Sequence, residues 1–115
     1  MQEKVCIIQA LEKPEVFRQN HLNIYEFSKL VKIPQRTIAN FISEQFGKGF
    51  HQVVQDLRLK AAIEEINKNP GNIIFGQLAK NSGFSSRTTF FRIFKNKIGT
   101  CPSEYLRQRL KTKSE

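Results

Sequence analysis

The feature that most constrains this chain is that it carries one helical pattern twice. Setting Phe41-Ile42 over Ile93-Phe94 brings Ile38 onto Phe90, Gly47 onto Gly99 and Val53-Val54 onto Tyr105-Leu106, all 52 positions apart. Upstream of a turn the spacing becomes 51, with Phe27 over Leu78, Ser28 over Ala79 and Ile33 over Phe84. Arg36-Thr37 and Arg87-Thr88 look alike across the copies as well. Each copy reads as a short helix, a tight turn and a second helix, the helix-turn-helix arrangement. A chain of 115 residues that devotes about half of its length to two copies of one pattern has room for one small domain, or two half-domains. A Rossmann-type cofactor enzyme or a barrel does not fit.

Apolar residues recur at three- and four-residue spacings and no strand-like alternation occurs, so the expected fold is all-α. Seven helices are predicted. Val5, Ile8 and Leu11 mark a first one, stopped near Pro14. Asn23, with Glu26 three residues on, has the form of a capping box that opens a helix through Phe27, Leu30 and Val31. After Pro34 a third helix runs over about Gln35–Phe46 and ends at Gly47. The longest follows over about Phe50–Lys68, before the break Asn69-Pro70-Gly71-Asn72. Then come helices near Phe75–Asn81, from about Ser86 to Ile98, and from Pro102 to about Leu110. The first motif thus occupies about 24–47, the connector about 50–68, the second motif about 75–98 and the C-terminal helix about 102–110, within one domain over 1–115.

At ~100° per residue, Phe90, Ile93, Phe94 and Ile98 form one buried face, and Ile38, Phe41, Ile42 and Phe46 form its counterpart. Opposite the first set stand Thr88, Arg92 and Lys95, with Arg87 in the first turn; opposite the second stand Arg36, Asn40 and Ser43. These side chains suit DNA: arginine bridges guanine O6 and N7, asparagine bridges adenine N6 and N7, and serine, threonine and lysine reach phosphates. The charge agrees. Nineteen basic and ten acidic residues give a net +9, and Lys80–Glu115 alone holds nine basic and two acidic residues. Such a concentrated positive field attracts polyanions. A connector of about 19 residues would span about 28 Å, compatible with two recognition helices about 34 Å apart in adjacent major grooves.

The run Leu78-Ala79, Gly83-Phe84, Phe90, Arg92, Phe94-Lys95, Gly99 and Pro102-Ser103-Glu104-Tyr105 resembles the C-terminal signature of AraC/XylS-type transcription regulators. Arg58-Leu59 with Ala62 resembles that family's linker helix, and Gly47 with Phe50 the start of it. The resemblance covers about Ile24 to Leu110. It implies a seven-helix, two-motif domain that binds double-stranded DNA in bacterial transcription control, usually activation. It also implies RNA polymerase, and a sensor or dimerisation domain outside these residues, as partners. By the same resemblance Arg36 and Asn40 of the first recognition helix, and Arg87, Thr88, Phe91 and Arg92 of the second, read bases. Three departures stand out. Phe91 occupies a position where a small polar residue is frequent, and either meets a thymine methyl or packs under the preceding helix. Cys101 replaces the usual serine before the proline and weakens the expected N-cap. Glu44 lies close to the outward face of the first recognition helix.

Other chemistry finds little footing. No Gly-rich phosphate loop, nucleophile motif or paired carboxylates on one helical face occur, so neither an enzyme nor a bound cofactor is expected. His21 and His51 lack metal-ligand spacing, and Cys6 and Cys101 cannot make a disulfide framework or a four-ligand zinc site. Cys101 reads as a small half-buried side chain. No apolar run approaches the ~20 residues of a membrane span, and the first residues lack a signal peptide's apolar centre, so a cytoplasmic protein is expected. The basic residues Arg107, Arg109, Lys111 and Lys113 reach phosphates or form a frayed terminus. The competing reading is a protein-interaction module of the same fold whose DNA affinity is only non-specific.

Overall fold

A computed structural model describes residues 2–113, with side chains from Cys6 to Lys111. Among the described residues there are eight α-helices, a 3-10 turn and no strand: α1 (Gln2–Leu11), α2 (Pro14–Phe17), α3 (Ile24–Val31), α4 (Gln35–Phe46), α5 (Phe50–Lys68), the 3-10 turn Pro70–Asn72, α6 (Phe75–Ser82), α7 (Arg87–Ile98) and α8 (Pro102–Lys113). The all-α class is as expected, but the count of seven is corrected to eight. The added helix begins at Pro14, which the sequence reading took as a stop. Proline is well placed in a first turn, where its missing N–H needs no partner. There it opens α2, in which Val16 and Phe17 donate to the carbonyl of Lys13 at 2.9 and 3.2 Å. The short helix carries both side chains into the core.

The chain divides into two units, Met1–Leu57 and Arg58–Glu115, with the boundary inside α5. In the first, Ile7 and Leu11 of α1 are buried, and the ring of Phe27 lies 5.4 Å from that of Phe50. Of the residues that marked the first helix, Ile8 is half-buried and the side chain of Val5 lies outside the described residues. In the second unit Leu59, Ala62 and Ile66 of α5 pack with Leu78 and Ala79 of α6 and with Phe84, Phe90 and Phe94. Arg58 is also buried, and that burial draws its guanidinium below the usual arginine range.

The repeat is built into the backbone. Gly47 and Gly99 follow α4 and α7 with φ of 69° and 96°, and each donates its N–H at 2.9 Å, to Ser43 and Lys95 respectively. These left-handed conformations are open to glycine and strained for residues with a Cβ. The turns inside the two motifs match at the spacing of 51. Phe84 donates to Ala79 at 3.0 Å, and Ile33 donates to Ser28 at 3.3 Å. At the residue between, however, the second copy has Gly83 (φ 103°) and the first has Lys32 (φ 59°). Among the described residues Lys32 is the one non-glycine at positive φ. The first turn has a compensating bond, from Ser28 Oγ to the carbonyl of Ile33 at 2.5 Å, which Ala79 cannot make.

Ile38, Phe41 and Ile42 of α4 and Phe90 and Phe94 of α7 are buried, with Ile93 half-buried. Phe46 and Ile98 depart from the expected faces, being 43% and 38% exposed. Each is the last residue of its helix, where the chain turns away through glycine, so the right angular position finds nothing to cover it. Leu30 of α3 is exposed for a related reason: Phe27 faces the core, and Leu30, about 60° round the helix from it, lies beyond the core's edge.

The contrast between the two turns is measurable. Lys32→Gly should raise stability by about 0.5–1 kcal/mol, the relief of the left-handed strain being partly offset by a freer unfolded chain. Gly83→Ala should lower it by about 1–2 kcal/mol. Urea midpoints at unchanged m-value check both; equal shifts of one sign would show that the turns are not conformationally equivalent.

Candidate nucleic-acid interface

The orientation of α7 follows from its aromatic residues. Phe90 is fully buried, with its ring 5.1 Å from Phe84, 5.7 Å from Phe94 and 5.9 Å from Phe91. Phe94 in turn meets Tyr105 of α8 at 5.5 Å. With that stripe held inward, Thr88, Arg92 and Lys95 are exposed on the opposite side, and Arg87 is exposed in the first turn. Asn96, one turn beyond Arg92, is exposed as well and belongs to the same outward face; the sequence reading passed over it, although its spacing of four from Arg92 was the signal.

The start of the helix is pinned. Ser86 is the N-cap, its Oγ accepting from the N–H of Thr89 at 3.1 Å and donating to Thr89 Oγ1 at 3.0 Å. At the matching position α4 begins behind Pro34, with no side-chain cap. The other expected cap is present: Asn23 Oδ1 accepts from the N–H of Glu26 at 2.8 Å at the head of α3.

Arg36, Asn40 and Ser43 are all exposed on α4, opposite its buried stripe. The likeness of Arg36-Thr37 to Arg87-Thr88 does not survive as a positional match. Helix α4 begins at Gln35 and α7 at Arg87, so Arg87 is the first residue of its helix and Arg36 the second. In register, Arg36 corresponds to Thr88, Asn40 to Arg92, Ser43 to Lys95 and Glu44 to Asn96. The electrostatics differ accordingly. Helix α7 carries Arg87, Arg92, Lys95 and Lys97 and no acidic residue, whereas α4 sets Glu44 against its one basic side chain, Arg36.

Phe91 has a definite place. It is half-buried, edge-on to Phe75 of α6 with ring centroids 5.3 Å apart, and the guanidinium of Arg87 lies 4.7 Å from its ring centroid. It therefore packs under the preceding helix, one of the two roles open to it from sequence.

Two basic side chains of α8 have partners on their own helix. Arg107 pairs with Glu104, and Arg109 stacks 4.9 Å from the ring centroid of Tyr105 and donates to its hydroxyl at 3.1 Å. That hydroxyl donates to Asn67 of α5 at 3.2 Å. Lys111 is exposed, and the side chain of Lys113 lies outside the described residues. Cys101 is half-buried and Cys6 exposed, neither in a disulfide. No helix among the described residues is long and apolar enough to cross a membrane.

Two short-helix, turn, long-helix motifs with polar outward faces define a helix-turn-helix domain of the kind used by transcription regulators. The chain belongs to the helix-turn-helix domain family, whose sequence model matches residues 27–108. Its fold is that of AraC-type DNA-binding domains. An AraC-type transcriptional regulator from Chromobacterium violaceum superposes with a TM-score of 0.77 at 18% identity, covering 94% of this chain and 92% of that one. The DNA-binding domain of AdpA, a global transcriptional factor solved in complex with a target DNA, gives 0.74 at 17% identity over 92% and 90% of the two chains. The C-terminal domain of AraT, a response regulator from Geobacillus stearothermophilus, gives 0.74 at 17% over 90% and 84%. No curated protein matches the sequence significantly.

The cap of α7 gives a direct check on how the interface is held. Ser86→Ala should cost about 1 kcal/mol, read as a lower urea midpoint, while Ser86→Asp should hold stability near the parent. A variant pair with equal midpoints would show that the Ser86 bond does not anchor the helix.

Proposed function

We propose that this chain is the sequence-specific, double-stranded DNA-binding domain of a bacterial transcription regulator of AraC/XylS type, acting as an activator. Helices α4 and α7 enter adjacent major grooves and read bases there. Arg92, Arg87 and Thr88 on α7, with Arg36 and Asn40 on α4, reach base edges, while Ser43 and Lys95 hold phosphates. The observation that carries this reading is the outward face of α7: exposed donors at Thr88, Arg92 and Lys95 on a helix without one acidic residue. The complex of AdpA with its target DNA supports it by analogy of fold.

The second motif supplies most of the attraction in this reading. Residues 58–115 hold twelve basic and four acidic side chains, against seven and six in residues 1–57. Counterion release then makes binding steeply salt-dependent, with α4 contributing base preference more than attraction. A second reading is a module that docks on a protein such as RNA polymerase and binds DNA without sequence preference. Tyr25 and Leu30, 54% and 56% exposed on α3, are the side chains that would serve it.

Selection from a random duplex pool separates the two readings. The first expects enrichment of a site with two blocks about one helical turn apart; salt-sensitive binding to any duplex, with no enrichment, supports the second. On the enriched site, Arg92→Ala should weaken binding about 10- to 100-fold and relax preference at one base position. Lys95→Ala should weaken binding to all sequences alike and lower the salt slope by about 1. Unchanged affinity and preference on Arg92→Ala would remove the base-reading role from α7.

A further inference from the structure

We infer that Phe91 is a positioning residue for DNA recognition: it touches no base, but serves as the platform that aims the Arg87 guanidinium. The inference rests on the DNA-binding reading of α7 and concerns how one of its side chains is made specific.

Arg87 stands in the first turn of α7, where the positive end of the helix dipole repels its charge. Helix α7 offers it no carboxylate, and its long side chain has many rotamers to choose among. What meets it is the ring of Phe91, four residues on, 4.7 Å from centroid to guanidinium. A guanidinium over an aromatic face is attracted to it without a hydrogen bond, so its N–H donors stay available for a partner. The contact thus restricts direction without consuming hydrogen-bonding capacity.

A platform must itself be fixed, and this one is. Phe91 is half-buried and held edge-on by Phe75 of α6 at 5.3 Å and by the fully buried Phe90 at 5.9 Å. Tyr25 shows the contrast: it carries Lys29 at 4.8 Å but is itself 54% exposed. The fold does not demand an aromatic residue at this point. In register, the first copy has Ala39 in place of Phe91 and Gln35 in place of Arg87, and both are exposed. Ring and guanidinium occur together in the second copy and are absent together from the first.

The test begins with the free protein. The side-chain protons of Arg87 should show an upfield ring-current shift that Phe91→Tyr retains and Phe91→Leu abolishes. On the enriched duplex and its single-base variants, Arg87→Ala should lose preference at one base position. Phe91→Leu should lose about two- to fivefold of preference at that same position, with the salt slope unchanged, and Phe91→Tyr should keep it. The double variant should be no worse there than Arg87→Ala alone. Phe91→Met takes the place of Phe91→Leu if the latter melts below the assay temperature. Loss at a different base position would make Phe91 a base contact in its own right and overturn the inference, as would a uniform loss on every sequence or an additive double variant. Absence of the ring-current shift in the parent overturns it whatever the DNA results. A parent chain with no preferred site removes the DNA-reading role itself, even where the ring-current shift is present.

Discussion

The packing of Phe90 is the interaction on which the second unit's geometry depends. The side chain is fully buried and meets three other rings, Phe84 from the turn and Phe91 and Phe94 from its own helix. Burial of such a side chain contributes about 1.5–3 kcal/mol, and each favourable ring pair adds about 0.5–1.5 kcal/mol. Its larger effect is geometrical. A helix is free to rotate about its axis until one side chain is locked between neighbours, and after that every other residue has its bearing. With Phe90 inward, Thr88, Arg92 and Lys95 can only point out.

The two copies share this plan and differ in how firmly each part is held. The second has glycine at its left-handed turn, a serine cap on α7 and rings beneath the outward face. The first has Lys32 at the turn, Pro34 before α4 and Ala39 where the second has Phe91. Local sequence and required conformation agree more closely in the second copy, which is also where the positive charge gathers. The bond from Ser28 to Ile33 and the pair Lys48–Asp56, which fastens the bend after α4 to α5 at 2.5 Å, give the first copy support of its own kind.

Much of this was legible in the residues. The spacing of 52 between Gly47 and Gly99 marked both helix ends, and Asn23 with Glu26 marked the head of α3, because caps are local chemistry written into adjacent positions. Periodicity named Ile38, Ile42, Phe90 and Phe94 as core, since the spacing of a helix fixes which residues share a face. Phe46 and Ile98 had the same spacing and are exposed, because periodicity gives angle and not whether a neighbour is present at that height. Pro14 is ambiguous in sequence, since proline ends one helix and begins another with equal ease. The matching of Arg36 to Arg87 followed residue likeness, and the true register needed the helix starts. Packing of Phe91 under the preceding helix is one of two roles the sequence leaves open, and the choice of Phe75 as its neighbour lies beyond spacing, for that contact joins two helices across the turn.

The shift between Arg36 and Arg87 has a consequence for any duplex this domain reads. Dimers of identical subunits place one helix twice and therefore favour a palindrome. Here the paired positions carry Arg36 and Thr88, Asn40 and Arg92, Glu44 and Asn96, so under the proposed function the two helices would spell different words. A target composed of two unlike words has no twofold symmetry and can be occupied in one direction only. Reversing that target beside a gene would turn the bound protein end for end, and whatever flank of it faced the transcription start would then face away.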